Sequence, residues 1–179
     1  LSDKQIRDSR KEEKGADGER DFVKHLKDLP DTYTVVSDLD FADSYGNIDH
    51  LIIGPTGVFA IDVKTWNGTV ASDGKGELLW NGKPTGKPEM KRSVRRTMEF
   101  RSRVKALTNL DPYIQCVCAF LHTHVDAKWG TTGNVLCMRA EQVAKYITNN
   151  RPQSTLQTAD IPRLVSAAKS LKENAVQTR

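Results

Sequence analysis

An α/β fold with a central mixed sheet flanked by helices is the architecture that three features of this chain predict. Its apolar pattern changes period in the order helix, antiparallel hairpins, helix, strand, strand, helix. A tight-turn signal, Gly54-Pro55-Thr56-Gly57, joins two strand-like runs and so makes them an antiparallel pair. A long basic helix then separates that pair from Tyr113–Leu121, a strongly apolar strand.

Residues 1–13 are charged and nearly devoid of apolar side chains. A flexible or frayed lead-in is expected there, ahead of one domain over residues 14–175. Phe22, Val23, Leu26 and Leu29 follow helical spacing, so a first helix is expected from Asp17 to Leu29, stopped by Pro30. Tyr33–Leu39 reads as a strand, and Ile48–Ile53 and Val58–Lys64 as the hairpin. Asn67-Gly68 marks a turn, after which Gly68–Ala71 and Leu78–Trp80 form a small hairpin around Asp73-Gly74-Lys75-Gly76. Pro88 opens a helix to Leu107, at a first-turn position where its missing N–H costs nothing. Asn134–Met138 reads as a short strand, Ala140–Ile147 as a helix, Arg151–Thr158 as a loop and Ile161–Leu171 as a last amphipathic helix.

With 179 residues, the chain is long enough for one core. No apolar run approaches the roughly 20 residues of a membrane helix, and no secretory signal is visible, so no membrane contact is expected. Because it opens on Leu1 rather than Met, a piece excised from a longer protein with additional domains is one reading. The net charge of +4 and pI near 9.0 suit a polyanionic partner without identifying one. Cys116, Cys118 and Cys137 lie in apolar, strand-like contexts and read as buried thiols of a reducing cytoplasm, so a cytoplasmic location is expected.

The hairpin carries the chemistry. Whatever the loop length, its register sets 53 against 58, 51 against 60 and 49 against 62, so Asp49 and Asp62 face one another with Cβ atoms about 4.5–5.5 Å apart. Two like charges there repel, and a cation is the simplest agent to neutralise them. Lys64 shares the face by alternation, whereas His50 points the other way. Glu19 precedes Phe22 and Val23 by three and four residues, which sets its carboxylate on the core-facing stripe and on the same core-facing side as Asp49.

These residues, in the blocks Gly15-Ala16-Asp17-Gly18-Glu19, Asn47-Ile48-Asp49-His50 and Gly54 through Lys64, with Trp66-Asn67-Gly68 and Trp80-Asn81-Gly82 behind them, resemble the PD-(D/E)XK nuclease superfamily. More narrowly, the chain resembles the nuclease-related domain, NERD, over roughly residues 14–125. The resemblance implies a restriction-endonuclease-like core with a β-hairpin extension. It also implies a divalent cation, Mg²⁺ or Mn²⁺, held by Asp49, Asp62, the Val63 carbonyl and Glu19 directly or through water. Lys64 would orient the attacking water and stabilise developing charge. The Asp-x-Lys alone carries little, because Glu12/Lys14, Asp73/Lys75, Glu89/Lys91 and Asp126/Lys128 repeat the spacing. Two departures stand out: Asp62 replaces the family's commoner glutamate, and Lys87-Pro88-Glu89-Met90-Lys91 has a lysine where the family's Asn-Pro-x-x-Gln ends in glutamine.

Nucleic-acid contacts are expected from Lys91, Arg92, Arg95, Arg96, Arg101 and Arg103 on the basic helix. A helical wheel groups Arg92, Arg95, Arg96 and Arg103 on one face, opposite Met90, Val94, Met98, Phe100, Val104 and Leu107. Arg101 falls inside the apolar arc and is expected to reach a polar site, either the site carboxylates or a bound phosphate. Trp66 is expected to cover core or to stack on a base. The leading reading is a metal-dependent nuclease acting on DNA, with RNA left open, and endonucleolytic in mode. Breaking both strands would take a homodimer or two successive nicks. The alternatives are a catalytically weak nucleic-acid-binding module of a larger protein, and a structural domain whose carboxylates hold a metal for stability.

Overall fold

The computed structural model of the chain describes residues 5, 15, 17–41, 44, 46–125, 135–151 and 156–177. The expected lead-in over residues 1–13 lies outside them apart from Gln5, as do Asn134 and part of the Arg151–Thr158 loop. A five-stranded mixed sheet runs in the order β1 (Thr34–Leu39), β2 (Ile48–Gly54), β3 (Gly57–Lys64), β7 (Ile114–Phe120) and β9 (Val135–Arg139). The first three strands are antiparallel neighbours, and β3, β7 and β9 are parallel. The β2–β3 register sets Ile53 against Val58, Leu51 against Ala60 and His50 against Ile61, as the turn chemistry predicts.

Each face of this sheet packs on helices because its strands are apolar on both sides. On one face, Leu51, Ile53, Val58, Ala60 and Ile114 meet α2 (Glu89–Thr108) and α4 (Asp160–Gln177) through Phe100, Val104, Leu164 and Ala168. On the other, Ile52, Phe59, Ile61 and Val117 meet Phe22 of α1 (residues 17–24), Leu26 in the turn after it, and Val143 and Ile147 of α3 (Val143–Asn149). A 3-10 turn over Ala140–Gln142 leads into α3, where a continuous helix is expected from sequence. Helix α1 is shorter than its periodicity suggests; after residue 24 the bonds close at i+3, from His25 N–H to the Phe22 carbonyl and from Leu26 N–H to that of Val23. Helix α4 is longer, reaching Gln177.

A second sheet, in the order β6 (Lys83–Pro84), β5 (Leu78–Trp80), β4 (Gly68–Ser72) and β8 (Thr123–Val125), is larger than the small hairpin expected. The β4–β5 pair forms the hairpin itself, and β8 adds in parallel as the chain leaves β7. Val70 and Leu78 of this sheet pack with Met90, Cys118 and Phe120, so it closes the end of the core where α2 begins. Among the described residues, no helix is long and apolar enough to cross a membrane.

Helix α2 corrects the helical wheel. Its buried stripe is Met90, Ser93, Thr97, Phe100 and Val104, while Met98 and Leu107 of the expected apolar arc are 49% and 56% exposed. The stripe steps by three and four residues, as a helix on a sheet requires. Two small polar residues within it hid it from a hydrophobicity count. Asn109 ends the helix in the left-handed region at φ 59°, with its N–H on the Lys105 carbonyl. The register is open to test by chemical denaturation. Phe100→Ala is expected to cost about 3–5 kcal/mol, and Met98→Ala less than about 0.5 kcal/mol.

Candidate active site

The β2–β3 ladder stops short of Asp49 and Asp62, and its end is where charge collects. One step beyond the His50–Ile61 pair, the Asp49 Oδ2 accepts the Val63 N–H at 2.7 Å, so a side chain takes the amide at the end of the ladder. Asp62 lies on the α2 face of β3, paired in register with Cys118 of β7. Its Oδ2 is 3.3 Å from Lys64 Nζ and 3.2 Å from Arg96 Nη2. Lys64 Nζ is also 2.9 Å from Glu89 Oε2, and both side chains are only 15% exposed. Asn47, Asp49, Asp62, Ser93, Arg96 and Thr97 line a cavity of about 10 Å³, at the threshold for one water-sized occupant.

Helix α1 packs on the face opposite Asp49 and Asp62. Strand alternation is the reason, since Phe22 and Leu26 cluster with Ile52, Phe59 and Ile61. Glu19 reaches Asp49 nonetheless, because Asp49 lies past the end of the ladder; the two carboxyl groups share a hydrogen bond. Burial, then the negative charges of Asp38 and Asp62, raise the Glu19 pKa. Burial, then the charge of Asp62, push Asp49 up to about 8, against the opposing Val63 N–H.

Lys64 keeps its proton. Burial works against the ammonium, but Asp62 and Glu89 more than offset it, and its pKa stands above the ordinary lysine value. As it stands, this lysine is a fixed positive charge rather than a base. His50 lies on the α1 face, stacked on Phe22 with centroids 5.2 Å apart, and its Nδ1 meets Ser37 Oγ at 2.8 Å. Burial lowers its pKa to about 4, so the ring is neutral, and its Nε2 is buried with no partner among the described residues.

The basic helix divides into two populations. Lys91, Arg92 and Arg95 are exposed beside the site, whereas Arg96 turns inward to Asp62 with 17% of its side chain exposed. Arg101 goes to neither the site carboxylates nor a cluster of arginines; its Nε meets Asp111 Oδ1 at 2.6 Å, a carboxylate it shares with Lys105. Arg103 stacks on Phe41, 5.3 Å from the ring centroid. Trp66 covers core: it lies 5.5 Å from Trp80 and 5.9 Å from Phe120, with the Lys64 ammonium 5.6 Å from its ring.

Sequence reasoning missed Glu89, Ser93, Thr97 and Glu77. Glu89 stood out only as one of several acidic-x-Lys triplets, although an acidic residue in a first helical turn is a usable signal. Ser93 and Thr97 were legible as the polar steps of a three-and-four spacing. Glu77 gave no local signal; its carboxylate accepts the Met90 and Lys91 N–H groups at 3.0 and 3.1 Å, capping α2 from the loop between β4 and β5.

The donors available are hard carboxylate oxygens, a chemistry that suits a divalent cation such as Mg²⁺ or Mn²⁺, and burial followed by the charge of Asp62 is what raises the Asp49 pKa. Among the described residues, no three His, Cys, Asp or Glu side chains converge as a metal cluster, and Asp62 is turned instead to Lys64 and Arg96. A raised folded-state pKa is stability that is present at low pH and is lost as Asp49 deprotonates. His50, lowered from 6.5 to about 4, contributes the opposite slope between those values, so in EDTA the melting temperature is expected to fall mainly between about pH 6.5 and pH 8. Asp49→Asn, measured by the same thermal scan, should flatten that slope.

No curated protein and no solved structure matches this sequence. The family model of the nuclease-related domain matches residues 14–121, which span α1, the hairpin, the second-sheet strands through β6, α2 and β7. Because that match takes in Glu19, Asp49, Asp62 and Lys64 together with most of the chain, this protein belongs to the nuclease-related domain family, NERD.

Proposed function

We propose that this chain is a divalent-metal-dependent nuclease that hydrolyses phosphodiester bonds of DNA endonucleolytically. One observation supports the reading: Asp62 and Lys64 pair at 3.3 Å beside Asp49, which takes the Val63 N–H where the β2–β3 ladder ends, in a chain of the nuclease-related domain family. Asp49, Asp62, the Val63 carbonyl and Glu19 would hold Mg²⁺ or Mn²⁺, which when bound polarises a phosphoryl oxygen and lowers the pKa of water. Lys64 supplies a fixed positive charge for the charge developing on the phosphate. Arg96, drawn into the site by Asp62, supports a second cationic contact for a scissile phosphate. Lys91, Arg92 and Arg95 form an exposed basic ledge beside it for the flanking backbone, a contact that positions the duplex without reading sequence. The cysteines among the described residues are free and buried, which supports a reducing, cytoplasmic setting. One site per chain makes a nick the elementary product, and a double-strand break the work of two copies or two events.

A nucleic-acid-binding module with little catalysis is the second reading. The observation that favours it is that Lys64 and Arg96 already neutralise Asp62 from inside the protein.

Supercoiled plasmid incubated with Mn²⁺, Mg²⁺ or EDTA separates the two. The nuclease reading expects nicked or linear DNA only with metal, none from Asp62→Ala, and a loss of about 10²–10³-fold in rate from Lys64→Ala. Intact plasmid under every condition, with salt-dependent binding retained, would instead establish the binding module. In either case Arg92→Ala and Arg95→Ala should each weaken binding across unrelated sequences and lower the slope of log affinity against log salt by about 1.

A further inference from the structure

Trp80 ends β5, and the turn Asn81-Gly82 carries the chain into β6 with Trp80 and Lys83 as cross-strand partners. Both turn residues have positive φ, 50° and 77°, as a two-residue type I′ hairpin needs. Asn81 locks that turn onto β4: its N–H meets the Thr69 carbonyl at 2.8 Å, and its Oδ1 accepts the Thr69 N–H at 2.9 Å. The Trp80 Nε1–H is committed to the Asn67 carbonyl at 2.8 Å, and the ring is stacked on Trp66. Trp66 in turn lies against Phe120 and the Lys64 ammonium, so Trp80 is one aromatic ring removed from the candidate site. Held on these sides, the residue is still 41% exposed, and with its one polar atom bonded, what it offers to solvent is ring surface.

The charge around that ring is one-sided. Residues 66–98 hold seven Lys and Arg against three Asp and Glu, a surplus of four that equals the formal net charge of the whole chain. The three carboxylates turn to partners within the protein: Asp73 to the Lys75 and Glu77 N–H groups, Glu77 to those of Met90 and Lys91, and Glu89 to Lys64. Lys83, opposite Trp80, and Lys87, between β6 and α2, are exposed.

We propose that Trp80, with Lys83 and Lys87, binds an unpaired nucleotide of a nucleic acid whose duplex part lies on the basic ledge. The base stacks on the indole, and its phosphates meet the two lysines. This names the substrate class of the site, DNA with a single-stranded segment next to a duplex, and it rests on the nucleic-acid reading above. Positive charge selects a polyanion. The ring selects an unpaired base, because a base inside a duplex already has both faces covered by its neighbours. With its Nε1–H committed, the indole has no donor for a base edge, so recognition is by stacking and tolerates any sequence. Cross-strand partners have Cβ atoms about 4.5–5.5 Å apart, which sets the Lys83 ammonium within reach of the phosphate of a base on the ring.

Affinity in EDTA, read by fluorescence anisotropy of labelled oligonucleotides, tests this apart from metal and cleavage. The probes are a blunt duplex and the same duplex with a single-stranded thymidine tail. Wild type is expected to bind the tailed duplex about 5–150-fold more tightly than the blunt one. Trp80→Ala should abolish that preference and leave the blunt duplex, which has no free base to stack, within about twofold. Trp80→Phe keeps an aromatic face and should retain most of the preference. Lys83→Ala/Lys87→Ala should weaken the tailed duplex more than the blunt one and lower its slope of log affinity against log salt by about 1–2. These lysines are exposed, so that pair decides the matter if a melting scan shows Trp80→Ala to be unfolded. Equal binding of both probes by wild type, or an equal loss on both from Trp80→Ala or from the lysine pair, would overturn the proposal alone. Wild type that binds neither probe would overturn the nucleic-acid reading and this proposal with it.

Discussion

Two carboxylates on neighbouring strands repel, and the arrangement around Asp49 and Asp62 answers that repulsion. Asp62 is held between Lys64 and Arg96. Asp49, which has the Val63 amide and no ion pair among the described residues, has its pKa raised to about 8 by burial and then by the charge of Asp62. Burial makes both effects large, since a low-dielectric setting raises the cost of each unpaired charge. The site is therefore under electrostatic tension, and an arriving divalent cation is the kind of ligand that relieves it.

Helix α2 is the element that converts this tension into a site. Its buried stripe would normally be apolar along its whole length. Here the steps nearest Asp62 are Ser93 and Thr97, small enough to leave a cavity of about 10 Å³, and the hydrophobic steps Phe100 and Val104 are kept for the far end. Glu89 and Arg96 enter from the same helix with opposite charge, one to the lysine and one to the aspartate. The helix also leaves Lys91, Arg92 and Arg95 in solvent beside the opening. Packing, electrostatics and substrate approach are thus carried by successive faces of one element.

The second sheet does more than extend the hairpin. Through Glu77 it caps α2, and through Trp80 it stacks on Trp66, against which the Lys64 ammonium lies. A chain of contacts runs from the turn held by Asp73, whose carboxylate accepts the Lys75 and Glu77 N–H groups, to the first turn of α2 and on to Lys64. The lysine consequently leans on a segment that supplies none of the candidate metal-holding or catalytic side chains.

The sequence by itself determined the order of the elements, the hairpin register and the side of β3 on which Asp62 and Lys64 stand. Each of these follows from local rules: a four-residue turn signal, strand alternation with period two, and apolar spacing. The family was legible for the same reason, since its motifs are short and contiguous. Only the tertiary structure decided which groups meet those side chains. Glu89 lies 25 residues from Lys64, and Arg96 lies 34 from Asp62. Nothing in local periodicity says that an arginine on a basic helix turns inward while a methionine two residues later turns out. That choice is made when α2 settles on the sheet, where Arg96 finds a buried carboxylate to offset its desolvation while Met98 stays half exposed. Glu19 shows the same limit from the other side: its helix packs on the opposite face, and it meets Asp49 only because the ladder ends there.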